Sequence, residues 1–224
     1  MNKNILFVCY PIKNTKNIEN FNNSNNLFNF VDKVIYINLK ERTDRKESII
    51  NELKHFPKDK IIRLNAIKES PGYLGCSKSH IAALEMAIEN NFKNVLIVED
   101  DMVWKNFEKG YDIFKNLASK NYDVIVLGAP NPEYDTDTLK LINGQTCTSY
   151  LVNNHYFKTL LKNFKEGLNK LTTTDIYHEY AIDQYWKKLQ KIDNWYIVQP
   201  TLSMQKKDYS DIHKQIVNYE KDFN

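Results

Sequence analysis

The chain has 224 residues, 42% hydrophobic and 26% charged, a balance that suits one globular domain with a sizeable core and excludes disorder along its whole length. The net charge of +3 arises from mixed Lys, Arg, Asp and Glu without a basic stripe, so no nucleic-acid partner is expected. Cys9, Cys76 and Cys147 are far apart and form no C-x-x-C pair, which favours a reducing compartment over a disulfide framework or a structural zinc site.

Ile5–Cys9 predicts a short first strand, too brief for the apolar core of a signal peptide, and the Asn-rich stretch Asn14–Asn29 reads as a surface loop. Residues 1–30 are therefore set apart from a main domain over residues 31–224. No later segment approaches the ~18 apolar residues that span a membrane, so a cytoplasmic protein is expected, with a peripheral place at a membrane left open. Val34–Leu39 predicts a strand, and Asp44 followed by Glu47 resembles a capping box opening a helix through Ile49, Ile50 and Leu53. Ile61–Leu64 gives another strand. Gly75 and Ser77 precede Ile81, Leu84 and Ile88, one apolar stripe of a helix reaching about Asn91, whose free N–H groups at Gly75–His80 would form a positive end facing an anion or a sugar hydroxyl.

Val95–Val98 predicts a buried strand that ends directly in Glu99-Asp100-Asp101. Trp104, Phe107, Tyr111, Phe114 and Leu117 repeat at helical spacing, Val124–Leu127 returns as a strand, and Gly128–Asp137 is rich in turn residues. Thr146–Val152 reads as a strand, Tyr156–Phe164 and Ala181–Leu189 as helices, and Tyr196–Val198 as the final strand. The alternation predicts an α/β domain with a mixed, mainly parallel sheet and helices on both faces, where ligands collect beyond the carboxyl ends of the strands.

Three carboxylates where a strand leaves the sheet are hard oxygen ligands suited to Mn2+ or Mg2+ carrying phosphates, and such an ion would neutralise a departing diphosphate. Continued alternation would point Glu99 and Asp101 to one side and Asp100 to the other, making Asp101 the first ligand and Glu99 the next. Arg42 and Arg45, just past a strand, can fork onto phosphate or ribose oxygens, and Asn38 offers an amide to a base or sugar edge. Cys76 reads as a small core residue. No G-x-G-x-x-G, P-loop, zincin or G-x-S-x-G pattern is present.

Ile37-Asn38-Leu39, Arg42, Asp44-Arg45, Gly75-Cys76-Ser77-Lys78-Ser79-His80 and Val98-Glu99-Asp100-Asp101, in this order and spacing, resemble glycosyltransferase family 25, which includes lipopolysaccharide and collagen hydroxylysine galactosyltransferases. The resemblance runs from about Val34 to Ser210-Asp211-Ile212 and takes in Pro200 and Gln205. It implies a GT-A-like fold, a UDP-sugar donor, a divalent cation usually supplied as Mn2+, and transfer with inversion.

Carried onto this sequence, it places Asn38, Leu39, Arg42, Arg45, Ala66, Gly75, Ser79, His80, Glu99 and Asp100 around the donor. Asp101, Glu99 and His213 fall on the metal. Asp183 is the general base, with Asp175 and Glu179 as competitors. The expected reaction moves galactose or glucose to a glycan, a lipid-linked sugar or a hydroxylated protein side chain. A non-catalytic glycan-binding module and a nucleotidyltransferase are the alternatives.

Overall fold

The computed structural model describes residues 27–210, 212 and 214–223. The expected strand Ile5–Cys9 and residues 14–26 of the Asn-rich stretch lie outside them. The end of that stretch is not a surface loop: Phe28 is fully buried, stacked on Phe56 at 4.2 Å between ring centroids and on Trp104 at 5.7 Å.

In chain order, β1 (Lys33–Asn38), α1 (Thr43–Glu52), β2 (Ile61–Asn65), α2 (Gly72–Glu89) and β3 (Asn94–Glu99) make the first half of the fold. Then come β4 (Met102–Trp104), α3 (Phe107–Ala118), β5 (Val124–Val126), β6 (Glu133–Tyr134), β7 (Leu141–Asn143), β8 (Ser149–Asn153) and α4 (Phe157–Thr174). Three one-turn helices, α5 (Tyr177–Tyr180), α6 (Ile182–Tyr185) and α7 (Lys187–Gln190), lead to β9 (Trp195–Ile197), β10 (Ser203–Gln205), β11 (Asp208–Ser210) and β12 (Gln215–Val217).

The main sheet has six strands in the order β2-β1-β3-β8-β5-β9. All are mutually parallel except β8, which runs antiparallel to both β3 and β5. The mixed, mainly parallel sheet is therefore as expected. Apolar runs such as Val34–Ile37 and Val95–Val98 are buried on both faces, as strands covered by helices on both sides require. Side-chain alternation sorts them: Ile35, Ile37, Val95 and Ile97 pack towards α2 and α4, whereas Val34, Tyr36, Leu96 and Val98 pack towards α1 and α3.

Several expected boundaries move, each for a local reason. Arg42, not Asp44, occupies the N-cap position of α1, and no side chain caps it; Asp44 sits in the first turn and accepts hydrogen bonds from Arg42, so there is no capping box. α2 begins at Gly72, so the amides of Ser79 and His80 lie inside the helical ladder and the open N-terminal end falls about a turn earlier than expected. Trp104 belongs to β4, opposite Ser203 of β10, rather than to α3. α4 runs ten residues beyond Phe164 because Gly167 and Leu171 continue its buried stripe. The expected helix Ala181–Leu189 breaks into α6 and α7, with Trp186 fully buried at the junction. Tyr134 belongs to β6, paired with β7, inside the turn-rich stretch. β9 is not the last strand: β10 pairs antiparallel with β4, and β11 with β12.

Candidate active site

The ends of β1, β2 and β3 lie level, with Asn38 opposite Asn65 and Ile37 opposite Glu99, so their exits open on one crevice. A cavity of about 560 Å3 occupies it, lined by all three acids of the triplet together with Arg45, Leu39, Ala66, Ser79 and His80.

β3 ends at Glu99, and Asp100 and Asp101 form a turn, so strand alternation stops there. The expected opposition of Asp100 to its neighbours fails for that reason. Arg45 Nη1 donates to Asp100 Oδ1 at 3.0 Å and to Asp101 Oδ2 at 3.1 Å, joining the two carboxylates on one guanidinium. Asp101 Oδ2 also accepts from Gln205 Nε2, whereas its Oδ1 is buried and has no hydrogen-bond partner among the described residues. Burial and the Glu99 charge push the Asp101 carboxyl up to about 7, against the pull of Arg45. Burial also raises Asp100, with Asn38 and Arg45 opposing.

Glu99 faces the other way. Its Oε1 lies 3.4 Å from His80 Nε2 and 3.7 Å from Cys76 Sγ, and Nδ1 of His80 is 2.7 Å from the Tyr150 hydroxyl. Burial pushes the Glu99 carboxyl up, but His80 and then Arg45 outweigh it, and the group ends below the usual carboxylate range.

Asn38 does not offer an amide to a ligand. Its Nδ2 donates to the Arg42 carbonyl and to Asp100 Oδ2 at 2.7 Å, and its Oδ1 accepts twice from Arg63, which uses its whole hydrogen-bonding capacity. It is a buried hub that fixes Asp100. Arg42 is outside the cavity lining and pairs with Asp44 and Asp208, the latter at 3.1 Å. Asp208 also takes Arg45 Nε at 2.9 Å, so β11 ties down both arginines at the start of α1. No pattern around Asp208 signalled this, because the contact closes across more than 160 residues.

Gly75 contacts no ligand space directly; a Cβ there would sit 2.3 Å from the Ile67 carbonyl. Its absence lets residues 66–70 lie against α2, where Ser79 Oγ accepts from the Ile67 N–H at 2.8 Å. Gly75→Ala is therefore expected to cost about 1–3 kcal/mol by overpacking, read as a lower urea midpoint at unchanged slope. An unaltered midpoint would mean that this loop yields freely.

A second cavity of about 310 Å3 adjoins the first and shares Cys76, Glu99, Gln205, Ser210 and Ile212 with it. Asp183, in the first turn of α6, lines this second space, and its Oδ2 accepts from the Thr146 N–H at 3.1 Å. Burial raises its carboxyl, aided by the Glu99 charge and opposed by that N–H. Of its competitors, Asp175 is engaged by the Tyr73 hydroxyl and neither it nor Glu179 lines this cavity. His213 lies outside the described residues.

Arg45 is the counter-ion of three acids, with 11% of its side chain exposed against 10% and 7% for Asp100 and Asp101. Arg45→Met strands those carboxylates, an expected loss of about 3–5 kcal/mol for a broken buried pair. Thermal melts check it, and added Mn2+ should restore more stability to the variant than to the parent protein.

A level row of strand ends, three acids at the exit of β3 and a neighbouring acid-bearing cavity mark the candidate site of this α/β domain. Residues 66–174 match the model of the family described as glycosyltransferase family 25 (LPS biosynthesis protein). Over that segment, just under half of the chain, the protein is similar to this glycosyltransferase family.

No curated protein matches the chain. Among solved structures, A197 from STIV is similar at TM-score 0.44 and 12% identity, covering 83% of this chain and 94% of that one. A glycosyltransferase involved in glycosylation of the major capsid of PBCV-1 is similar at TM-score 0.45 and 11% identity, covering 75% and 81%. The glycosyltransferase GlyE of Streptococcus pneumoniae TIGR4 is similar at 0.44 and 11%, covering 75% and 45%. Among the described residues, no helix is long and apolar enough to cross a membrane.

Proposed function

We propose that the protein transfers galactose or glucose from a UDP-sugar, with inversion and with a divalent cation, to a hydroxyl of a glycan, a lipid-linked sugar or a hydroxylated side chain. The observation that carries this reading is the pair of cavities meeting at Glu99, one holding the acidic triplet and the other Asp183. The first has room for a nucleotide-sugar and the second for the acceptor, so the bond made and the bond broken fall near their common wall.

The residues fit a hard cation. Asp101 offers a buried oxygen with no hydrogen-bond partner among the described residues, and Asp100 and Glu99 line the same cavity; the family resemblance adds His213, which lies outside the described residues. When bound, Mn2+ or Mg2+ supplies positive charge to the departing diphosphate. Arg45 holds Asp100 and Asp101 in place and adds a second positive charge beside the phosphates; Leu39, Ala66, Ser79 and His80 shape the donor cavity around it. Arg42 and Asn38 act through Arg45 and Asp100.

Asp183 takes the proton of the acceptor hydroxyl as its oxygen bonds to the anomeric carbon and the carbon–phosphate oxygen bond breaks, releasing UDP. The Thr146 N–H orients the base, and its raised carboxyl brings its proton affinity nearer to neutrality.

A donor panel scored by UDP release with and without Mn2+ tests the reading. UDP-galactose or UDP-glucose should support release with Mn2+ and fail with chelator. Glycan binding without nucleotide or metal would favour a binding module, and pyrophosphate as product a nucleotidyltransferase.

A further inference from the structure

The side of Glu99 turned away from Asp101 meets a donor set of a different kind. Cys76 and His80 are one helical turn apart on α2, a spacing that puts both side chains on one face. That face meets the end of β3, and Cys76 Sγ, a ring nitrogen of His80 and a Glu99 oxygen all lie within 4.8 Å of one another. Among the described residues no other group of His, Cys and carboxylate atoms gathers in this way.

The separations are informative. The His80 Nε2 to Glu99 Oε1 distance of 3.4 Å is longer than a well-formed N–H···O bond, and the Cys76 Sγ to Glu99 Oε1 distance is 3.7 Å. Ligands at tetrahedral angles around zinc, with Zn–S of ~2.3 Å and Zn–N and Zn–O of ~2.0–2.2 Å, stand about 3.3–3.7 Å apart. Both measured edges fall at those of a zinc tetrahedron.

The surroundings match as well. His80 is 1% exposed, and its other ring nitrogen meets the Tyr150 hydroxyl, the outer partner that fixes ring orientation and leaves Nε2 for a ligand. Tyr150 is itself fully buried. The fourth side opens: Cys76 and Glu99 line both cavities, so a ligand or water can reach it.

We infer that Cys76, His80 and Glu99 form a second cation site, distinct in chemistry from the sulfur-free site proposed at Asp101, that takes a thiophilic zinc-class ion and leaves one position open to the cavities. Sulfur and imidazole ligands select zinc-class ions, whereas the hard carboxylates of Asp100 and Asp101 suit Mg2+ and Mn2+. Each ion thus has its own donor set, joined through Glu99.

Cobalt(II) serves as the probe, because a sulfur ligand gives it a charge-transfer band and four-coordination gives it intense visible absorption. Titration is made on the full chain in excess Mg2+, so that the hard site is occupied. The expected result is a one-to-one band, bleached by Zn2+, absent in Cys76→Ser and retained in both Cys147→Ser and Asp101→Asn. Tyr150→Phe should weaken zinc about 10–100-fold, as loss of an outer-shell partner does.

Circular dichroism confirms that each variant folds. Absence of the band in the parent protein, its persistence in Cys76→Ser, or its loss in Cys147→Ser with Cys76 intact would overturn the assignment. None of these readouts depends on sugar transfer, so the site stands or falls apart from the proposed reaction.

Discussion

Asp183→Asn should lower kcat by about 10²–10⁴, the usual worth of a positioned general base, while UDP binding in Mn2+ is unchanged. The substitution is close to isosteric, and an Asn oxygen can still accept from the Thr146 N–H, so the loss would report on proton transfer and not on folding. The raised carboxyl gives the pH signature. Only the ionised form can take a proton, so turnover of the parent protein should fall as pH drops through that raised value, and this limb should vanish from the residual activity of the variant. Stability moves the opposite way. A carboxyl raised by folding contributes most below its unfolded pKa and loses that contribution as pH rises, so the variant should equal or exceed the parent protein in neutral solution. Unchanged kcat would remove Asp183 from the base role.

Asp101→Asn should combine a large functional loss with a gain in metal-free stability. A cation at a departing diphosphate contributes several kcal/mol, so turnover in Mn2+ should drop about 10²–10³-fold or more. Without metal, the parent protein carries a buried carboxyl whose Oδ1 has no hydrogen-bond partner among the described residues and whose pKa is raised from 3.8 to about 7. The native state thus holds its proton more tightly than the unfolded chain, and stability falls as pH rises from about 4 to 7. The span corresponds to an order of 2–4 kcal/mol shared with the neighbouring charges. The variant should melt higher than the metal-free parent protein at pH 7 and nearly alike at pH 4, and Mn2+ should raise the melting temperature of the parent alone. A variant that still binds UDP in a Mn2+-dependent way would move the cation elsewhere in the triplet.

The fold was legible where burial is uniform. Val34–Ile37, Val95–Val98 and Val124–Leu127 are short apolar runs that fit a doubly covered sheet, and their rhythm with helices predicts its class. The direction of β8 was not legible, because period-two burial is the same for a strand run either way. Helix ends failed for a related reason. The start of α2 at Gly72 depends on Pro71 and on packing against residues 66–70, and the break at Trp186 on a pocket built by Phe164, Tyr150 and Trp195.

The site divides in the same way. Residue chemistry and strand position selected Glu99-Asp100-Asp101 and Arg45 as candidates, and the family resemblance added Asp183. Spacing could not say how they face one another. The turn after Glu99 overrides strand alternation and brings Asp100 and Asp101 onto one guanidinium, while Glu99 turns to Cys76 and His80. Asn38 became a hub because Arg63, brought by the neighbouring strand, saturates it. By itself the sequence determined the fold class and the chemical inventory, for these follow from local pattern and residue type. The tertiary structure alone decided which groups pair, which oxygen stays unpartnered and where two cavities meet, because each depends on contacts between segments far apart in the chain.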